Sequence, residues 1–185
     1  WRLAGEVLNT YIIVEQGDKV LLIDKHAAHE RMNFDRMKAE GYDPMSQTLL
    51  APAVCRLSPE EHAALTARLP LLEEFGFAAE DFGGGSLIVR RAPFDVDPGD
   101  IEATLTEIAR KLLSTGSADP TAARDELLHT MACKAAIKGG WRSSPQELER
   151  VARAVMSGQV RYCPHGRPVA IELTRGQLEK QFRRA

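Results

Sequence analysis

The chain has little of what marks a secreted, membrane-spanning or strongly DNA-binding protein. It contains only three cysteines, Cys55, Cys133 and Cys163, and this odd, sparse set predicts reduced thiols, not a disulfide framework. No apolar run approaches the roughly 20 residues of a membrane span, and no signal peptide is visible. The net charge is −2, so DNA contact needs a local patch or another domain. We therefore expect a globular cytoplasmic protein with no membrane partner, and its strand-like start suggests a fragment.

What is present predicts a mixed fold of the α+β class. Residues 3–14 are rich in β-branched and aromatic side chains, and a turn at 16–18 leads to an apolar run at 20–23, which together predict a hairpin. Further strands are predicted at 47–57, 86–90 and 169–173, and helices at 26–40, 59–75, 100–113, 121–138, 145–157 and after Thr174. Because strands and helices do not alternate cleanly, a doubly wound sheet is disfavoured. Residues 50–115 resemble a self-contained insertion.

Most of the histidines and cysteines fall in three segments, at 24–35, 132–134 and 163–168, and the first of these also carries carboxylates. On a helix, His26 and Glu30 share one face, and Asp24 would precede them at a strand end. Cys163 and His165 are separated by a proline, whose fixed φ can hold thiolate and imidazole in one geometry. These ligand types suit Zn²⁺, and the added carboxylates could hold Mn²⁺ or Mg²⁺ for phosphodiester hydrolysis.

Several of these residues also have ordinary structural explanations. Cys163–Pro168 alone could be a rigid turn, and four other residues are better explained as packed, solvated or non-ligand side chains: His29, Cys55, His62 and His129. A zinc peptidase is disfavoured, because its helix needs a glutamate between two histidines, whereas Glu30 lies outside the pair His26 and His29.

Together the segments resemble the C-terminal domains of MutL mismatch-repair proteins. Residues 24–35 resemble the family pattern D-Q-H-A-x2-E-x4-E, residues 132–134 resemble A-C-[RK], and residues 163–168 are identical to C-P-H-G-R-P. The terminal Phe182-Arg183-Arg184 loosely resembles an F-x-R element. The resemblance implies a two-lobed fold: residues 1–48 plus 119–185 would form a dimerisation lobe with the metal site, and residues 49–118 an external regulatory lobe.

The resemblance also implies a metal-dependent DNA-nicking endonuclease without sequence specificity. Glu30 would be the central metal ligand and Asp24 a ligand or catalytic carboxylate, and the zinc set would be completed by His26, Cys133, Cys163 and His165. Lys134 and Arg167 would contact phosphate, with Asp35 and Arg183 as accessory residues. For Arg167, a salt bridge that braces the turn is the alternative. Implied partners are a second copy of the chain, duplex DNA, and MutS through the full-length protein.

Two positions depart from the family pattern. Lys25 replaces glutamine, and we expect its side chain to point outward, toward phosphate, because a cation pointing inward would repel a metal. Asp35 replaces the second glutamate and shortens the reach of that carboxylate by one methylene. These changes keep open a second interpretation, a catalytically silent dimerisation and clamp-binding module with structural zinc.

One further segment, at residues 47–52, resembles the Q-x-[LI]-x-P peptide by which MutL proteins dock on the replication sliding clamp. Gln47 would supply hydrogen bonds, and Leu49 and Pro52 would fill an apolar groove. The pattern is short, and an ordinary strand is the alternative.

Overall fold

The computed structural model describes residues 1–115, 119–136, 140 and 142–184. Within these residues the fold is mixed α and β, with two sheets and seven helices. In chain order the elements are β1 (Arg2–Val7), β2 (Tyr11–Gln16), β3 (Lys19–Asp24), α1 (Lys25–Glu40), β4 (Ser46–Arg56), α2 (Pro59–Thr66), α3 (Leu69–Glu74), β5 (Ala78–Gly83), β6 (Ser86–Pro93), α4 (Ile101–Ser114), α5 (Pro120–Lys134), α6 (Pro145–Met156), β7 (Ala170–Thr174) and α7 (Arg175–Gln181).

The chain divides into two compact units, residues 1–36 with 135–185 and residues 37–134. The first unit contains an antiparallel sheet in the order β1-β2-β3-β7, so strands from both ends of the chain pair with each other. The sequence analysis put the lobe boundaries at residues 48/49 and 118/119, and that lobe division stays a prediction. No helix in the described ranges is long and apolar enough to cross a membrane.

The first sheet buries one face against α1 and α6. Alternate residues of β2 and β3 point into this core, and the cluster comprises Ile12, Val14, Leu21, Ile23, Ala28, Leu148, Val151, Ala152, Ala154, Val160, Cys163 and Val169. Helix α6 begins with a capping box, in which Ser144 and Glu147 satisfy each other's backbone N–H groups. The buried apolar surface therefore fixes the first turns of α1 and the Cys163 segment beside the same sheet.

The other face of this sheet also carries apolar side chains. Ile13, Leu22 and Ile171 are paired across β2, β3 and β7, so they form one row. Ile13 and Leu22 are half-buried, and Ile171 is 59% exposed.

The prediction of one continuous strand at residues 3–14 is wrong. The strand is interrupted after Val7, and the Thr10 N–H donates to the Val7 carbonyl at 3.1 Å across a turn. The central residues of this turn, Leu8 and Asn9, have positive φ values of 54° and 48°. Glycine usually marks turns of this kind, and leucine rarely adopts such φ values. The turn was therefore not predicted from the sequence.

The second unit contains a three-stranded antiparallel sheet in the order β4-β6-β5, with α2 and α4 packed against each other. The single helix predicted at 59–75 is two helices, because Arg68 leaves helical geometry with φ −132° and ψ 27°. Strand β5 was not predicted, since its sequence, AAEDFG, lacks β-branched residues.

Candidate metal centre

His26 and Glu30 lie one helical turn apart near the start of α1, where the i, i+4 spacing brings side chains to one face. Ligand-capable atoms of the two residues lie within 4.8 Å of one another. Glu30 is buried, with 5% of its surface exposed, and His26 is half-buried. The sequence pattern and the buried helix face therefore place an imidazole beside a carboxylate that has little access to water.

The segment from Cys163 to Pro168 forms a tight hairpin loop. The Cys163 N–H donates to the Arg167 carbonyl at 2.8 Å, and the Gly166 N–H donates to the Cys163 carbonyl at 2.9 Å. Pro164 suits the first position of such a turn, and Gly166 has φ +82°, the left-handed conformation that glycine adopts without strain. His165 lies between them at the tip of the loop, with 45% of its side chain exposed.

Glu30 and His165 meet although 134 residues separate them in the sequence. His165 Nδ1 lies 3.6 Å from Glu30 Oε1, which is beyond hydrogen-bond range. In the described part of the chain, this buried oxygen has no hydrogen-bond partner. An unsatisfied buried acceptor costs about 1–3 kcal/mol. A divalent cation held by these two side chains would supply the missing partner, so the residues present fit a metal ion.

Cys163 brings a buried thiol to the same unit. Its side chain is 2% exposed and belongs to the core cluster that contains Ala28 of α1. Its sulfur accepts the Arg167 N–H, with an N···Sγ distance of 3.4 Å. A cysteine sulfur is a common ligand of Zn²⁺.

Asp24 has a structural task that the sequence analysis did not assign. Its Oδ1 accepts the Ala27 N–H at 3.0 Å, which makes Asp24 the N-cap of α1. A carboxylate at this position also interacts favourably with the helix dipole. If Asp24 is also a metal ligand or a catalytic group, the same carboxylate serves as the helix cap.

His29 is buried beside Glu30 but is held by α6. Arg150 Nη2 lies 2.9 Å from His29 Nε2, and a guanidinium can only donate, so this ring nitrogen accepts and the imidazole is neutral. Burial, followed by the charge of Arg150, lowers the pKa of His29 to about 4. This contact with Arg150 occupies Nε2, one of the two ring nitrogens that could bind a metal.

The expectation that Lys25 points outward is wrong. Its side chain is fully buried, and its ammonium pairs with Glu6 Oε1 of β1 at 2.5 Å. The same Nζ lies 3.2 Å from Ser143 Oγ. Lys25 is the first residue of α1 and directly follows the last residue of β3, and its side chain is directed to Glu6 on β1 of the same sheet.

Comparison with known proteins gives the family. A model described as the MutL C terminal dimerisation domain matches residues 4–143. The DNA mismatch repair protein MutL of Caldanaerobacter subterraneus subsp. tengcongensis is 33% identical over 99% of this chain and 31% of its own length. The MutL proteins of Syntrophobacter fumaroxidans and Acidiphilium cryptum are 36% and 38% identical over 97% and 98% of this chain, and 27% and 32% of their own lengths. The chain belongs to the MutL C-terminal dimerisation domain family. It spans about a third of the length of these relatives.

The family assignment confirms the recognised resemblance, while the roles predicted for single residues stay predictions. Cys133 and Lys134 are the last two residues of α5, in the second unit, and both are half-buried. Asp35 is engaged by Arg31, whose Nε lies 2.8 and 2.9 Å from its two carboxylate oxygens. Arg167 is exposed, and its backbone closes the turn.

The other predicted site residues of this MutL-family chain lie outside α1, the helix that carries Glu30. Arg183 follows α7, is exposed and has φ +52°. Gln47 is half-buried and its side-chain amide donates to the Val96 carbonyl at 3.3 Å. Leu49 is half-buried and Pro52 is exposed.

The sequence analysis explained His29, Cys55, His62 and His129 as packed, solvated or non-ligand side chains. The burial of Cys55 fits this explanation, and the explanations of the others stay predictions. Cys55 is fully buried in β4, and burial raises the pKa of its thiol to about 11. His62 Nε2 lies 3.0 Å from Asp81 Oδ1 in the second unit. His129 is half-buried on α5.

Sequence reasoning missed Glu6 and Arg150, the partners of Lys25 and His29. They lie 19 and 121 residues from the side chains they contact. No local pattern pairs residues across such distances.

Proposed function

We propose that this chain is the dimerisation and endonuclease domain of a cytoplasmic MutL-type mismatch-repair protein, and that it nicks duplex DNA with divalent metal ions. The observation that carries the proposal is the buried carboxylate of Glu30, whose unsatisfied oxygen faces His165 at 3.6 Å. These two residues come from two of the three segments that resemble the endonuclease patterns of the family. A buried carboxylate oxygen without a hydrogen-bond partner is costly in a purely structural role, and metal ligation would explain it.

Glu30, His26, Cys163 and His165 would hold Zn²⁺ together with Cys133, which is included from the resemblance alone. The carboxylates of Glu30 and Asp24 would hold Mn²⁺ or Mg²⁺, since oxygen ligands suit these harder ions. When bound, such ions stabilise the charge on the attacking and leaving oxygens of a phosphodiester. The exposed guanidinium of Arg167, two residues from His165, would bind a backbone phosphate and orient the strand, and Lys134 would add a second cation.

The test is nicking of supercoiled plasmid by the chain in Mn²⁺, compared between wild type and Glu30→Gln. The substitution keeps the side-chain size and removes the charge, so we expect the rate to fall by roughly 100-fold or more. The matched control is Glu40→Gln, at the exposed last residue of the same helix, which should leave the rate unchanged. Metal-free Glu30→Gln should be at least as stable as wild type, because it loses the charge of a buried carboxylate whose Oε1 has no hydrogen-bond partner in the described residues. Equal nicking rates for wild type and Glu30→Gln would refute the endonuclease.

A second candidate is a catalytically silent module in which zinc only stabilises the fold. The observation that favours it is the pairing of Asp35 with Arg31, because this carboxylate, at the position of the family's second glutamate, already has a partner. In that case neither wild type nor any variant would cut DNA in Mn²⁺, while removal of zinc would lower the melting temperature.

Homodimerisation would use the outer face of the first sheet. Ile13, Leu22 and Ile171 form an apolar row there, and an exposed apolar sheet face is typical of a surface that another subunit covers. The family description as a dimerisation domain supports homodimer formation. MutS would be a partner of the full-length protein.

Docking on a sliding clamp would use the edge strand β4. Its pairing with β6 is interrupted between Thr48 and Ala53, so residues 49–52 bulge from the ladder. Leu50 is fully exposed there, and Pro52 is exposed, so apolar groups are accessible to a groove. Leu49→Ala with Leu50→Ala should abolish binding to the purified clamp, whereas Val54→Ala, farther along the same strand, should not. Unchanged affinity of the double variant would remove this segment from consideration.

A further inference from the structure

Lys25 is the most deeply buried charged side chain of the described residues, with no exposed surface. An ammonium removed from water is strongly unfavourable unless it is paired and hydrogen-bonded. Its counter-charge is Glu6, whose side chain is only 13% exposed, at 2.5 Å. Both members of the ion pair therefore depend on each other in the folded state.

The contacts of Lys25 join three segments that are distant in sequence. Glu6 lies on β1, 19 residues earlier, and Ser143 lies 118 residues later, immediately before the N-cap of α6. Lys25 itself is the first residue of α1 and stands between Asp24 and His26. One ammonium thus ties the start of α1 to the sheet edge and to the segment that leads into α6.

We infer that Lys25 and Glu6 form a positioning pair for the candidate metal centre, an inference that rests on the proposed function. The pair holds the first turn of α1, and with it Asp24 and His26, against β1 and the segment before α6. Glu6 also balances the cation that replaces the glutamine of the family pattern. Without Glu6, the positive charge of Lys25 would oppose a divalent ion bound by its neighbours.

The first experiment measures thermal unfolding of the metal-free chain for wild type, Glu6→Gln, Lys25→Gln and the double variant. Each single substitution leaves one buried charge without its partner, so we expect the melting temperature to fall by roughly 10 °C. The double variant replaces the ion pair with two amides and should recover most of that loss. Effects of the two single substitutions that simply add in the double variant would overturn the pairing.

The second experiment measures Zn²⁺ affinity by competition with a chelator, well below the melting temperature of each variant. Glu6→Gln should weaken binding roughly tenfold, because the unbalanced charge of Lys25 would oppose the ion, and Glu6→Gln with Lys25→Gln should restore it. The matched control is the exposed pair of Lys19 and Glu172 on the same sheet, whose glutamine double variant should bind zinc as wild type does.

The outcomes separate the inference from the proposed function. If wild type binds zinc and Glu6→Gln binds it equally well, the positioning role is overturned while the metal centre stands. If wild type binds neither zinc nor Mn²⁺, the metal centre fails and the positioning role fails with it. Loss of affinity in Glu6→Gln that the double variant restores supports the inference, because the affinity is measured well below the melting temperature of each variant, where the chain is folded.

Discussion

The Asp24 carboxylate has one structural role that is observed and one chemical role that is predicted. One oxygen accepts the Ala27 N–H and caps α1, while the resemblance assigns the same side chain to metal binding or catalysis. Since capping needs only an acceptor, asparagine keeps the cap and loses only the charge interaction with the helix dipole, whereas alanine loses both. Replacement by each residue therefore separates the structural role from the chemical one.

For Asp24→Asn we expect an unfolding free energy within a few tenths of a kcal/mol of wild type, and for Asp24→Ala a loss of about 1 kcal/mol. Both variants should lose plasmid nicking in Mn²⁺, because both lack the charged oxygen. Chemical denaturation of the metal-free chain and the nicking assay provide the two measurements. Full nicking activity in Asp24→Asn would show that Asp24 only caps the helix.

Among the elements, the loop that carries His165 depends on the backbone of Gly166. Its φ of +82° lies in the left-handed region, although an added Cβ would meet no atom within 4 Å. A side chain here is therefore opposed by backbone strain alone. Gly176, in α7, offers the opposite case, since its surroundings are equally open and its φ lies outside the positive range.

The same substitution should thus have opposite signs at these two glycines. Gly166→Ala should lower the unfolding free energy by roughly 1–2 kcal/mol, the cost of left-handed backbone for an L-residue. Gly176→Ala should raise it by up to about 1 kcal/mol, because alanine is the better helix former. Denaturant titration of both variants checks this, and destabilisation by Gly176→Ala as large as that by Gly166→Ala would contradict the explanation.

Elements with strong local signals could be predicted from the sequence, whereas others could not. The helices that start at Ser58, Ser144 and Thr174 each have a capping box, a signal that lies within four residues. The turn at Leu8 and Asn9 lacks glycine, so it was missed.

Some contacts of the candidate site could likewise be predicted from the sequence, and others could not. His26 and Glu30 could be paired by helical spacing, and Cys163 and His165 by their shared turn. The approach of Glu30 to His165 was expected only through the resemblance. The buried pair of Lys25 and Glu6 was not expected, because sequence alone gives the charge of a side chain and not the burial that decides its partner.

At the scale of the whole molecule, the outer face of the first sheet carries an apolar row that is partly exposed. The inner face is filled by α1 and α6, but the row of Ile13, Leu22 and Ile171 ends in a side chain that is 59% exposed. In a twofold dimer each interface residue occurs twice, so one substitution changes both subunits.

We therefore expect Ile171→Glu to convert the chain from dimer to monomer. Burial of an isoleucine contributes about 1.5–3 kcal/mol, and two glutamates brought together would also repel and lose water. The dimer dissociation constant should rise by at least roughly 100-fold, measured by analytical ultracentrifugation. The matched control is Phe94→Glu, an equally exposed apolar residue of the second unit, which should leave the dimer intact. If Phe94→Glu dissociates the dimer and Ile171→Glu does not, subunits pair through the second unit, and the outer sheet face needs another partner.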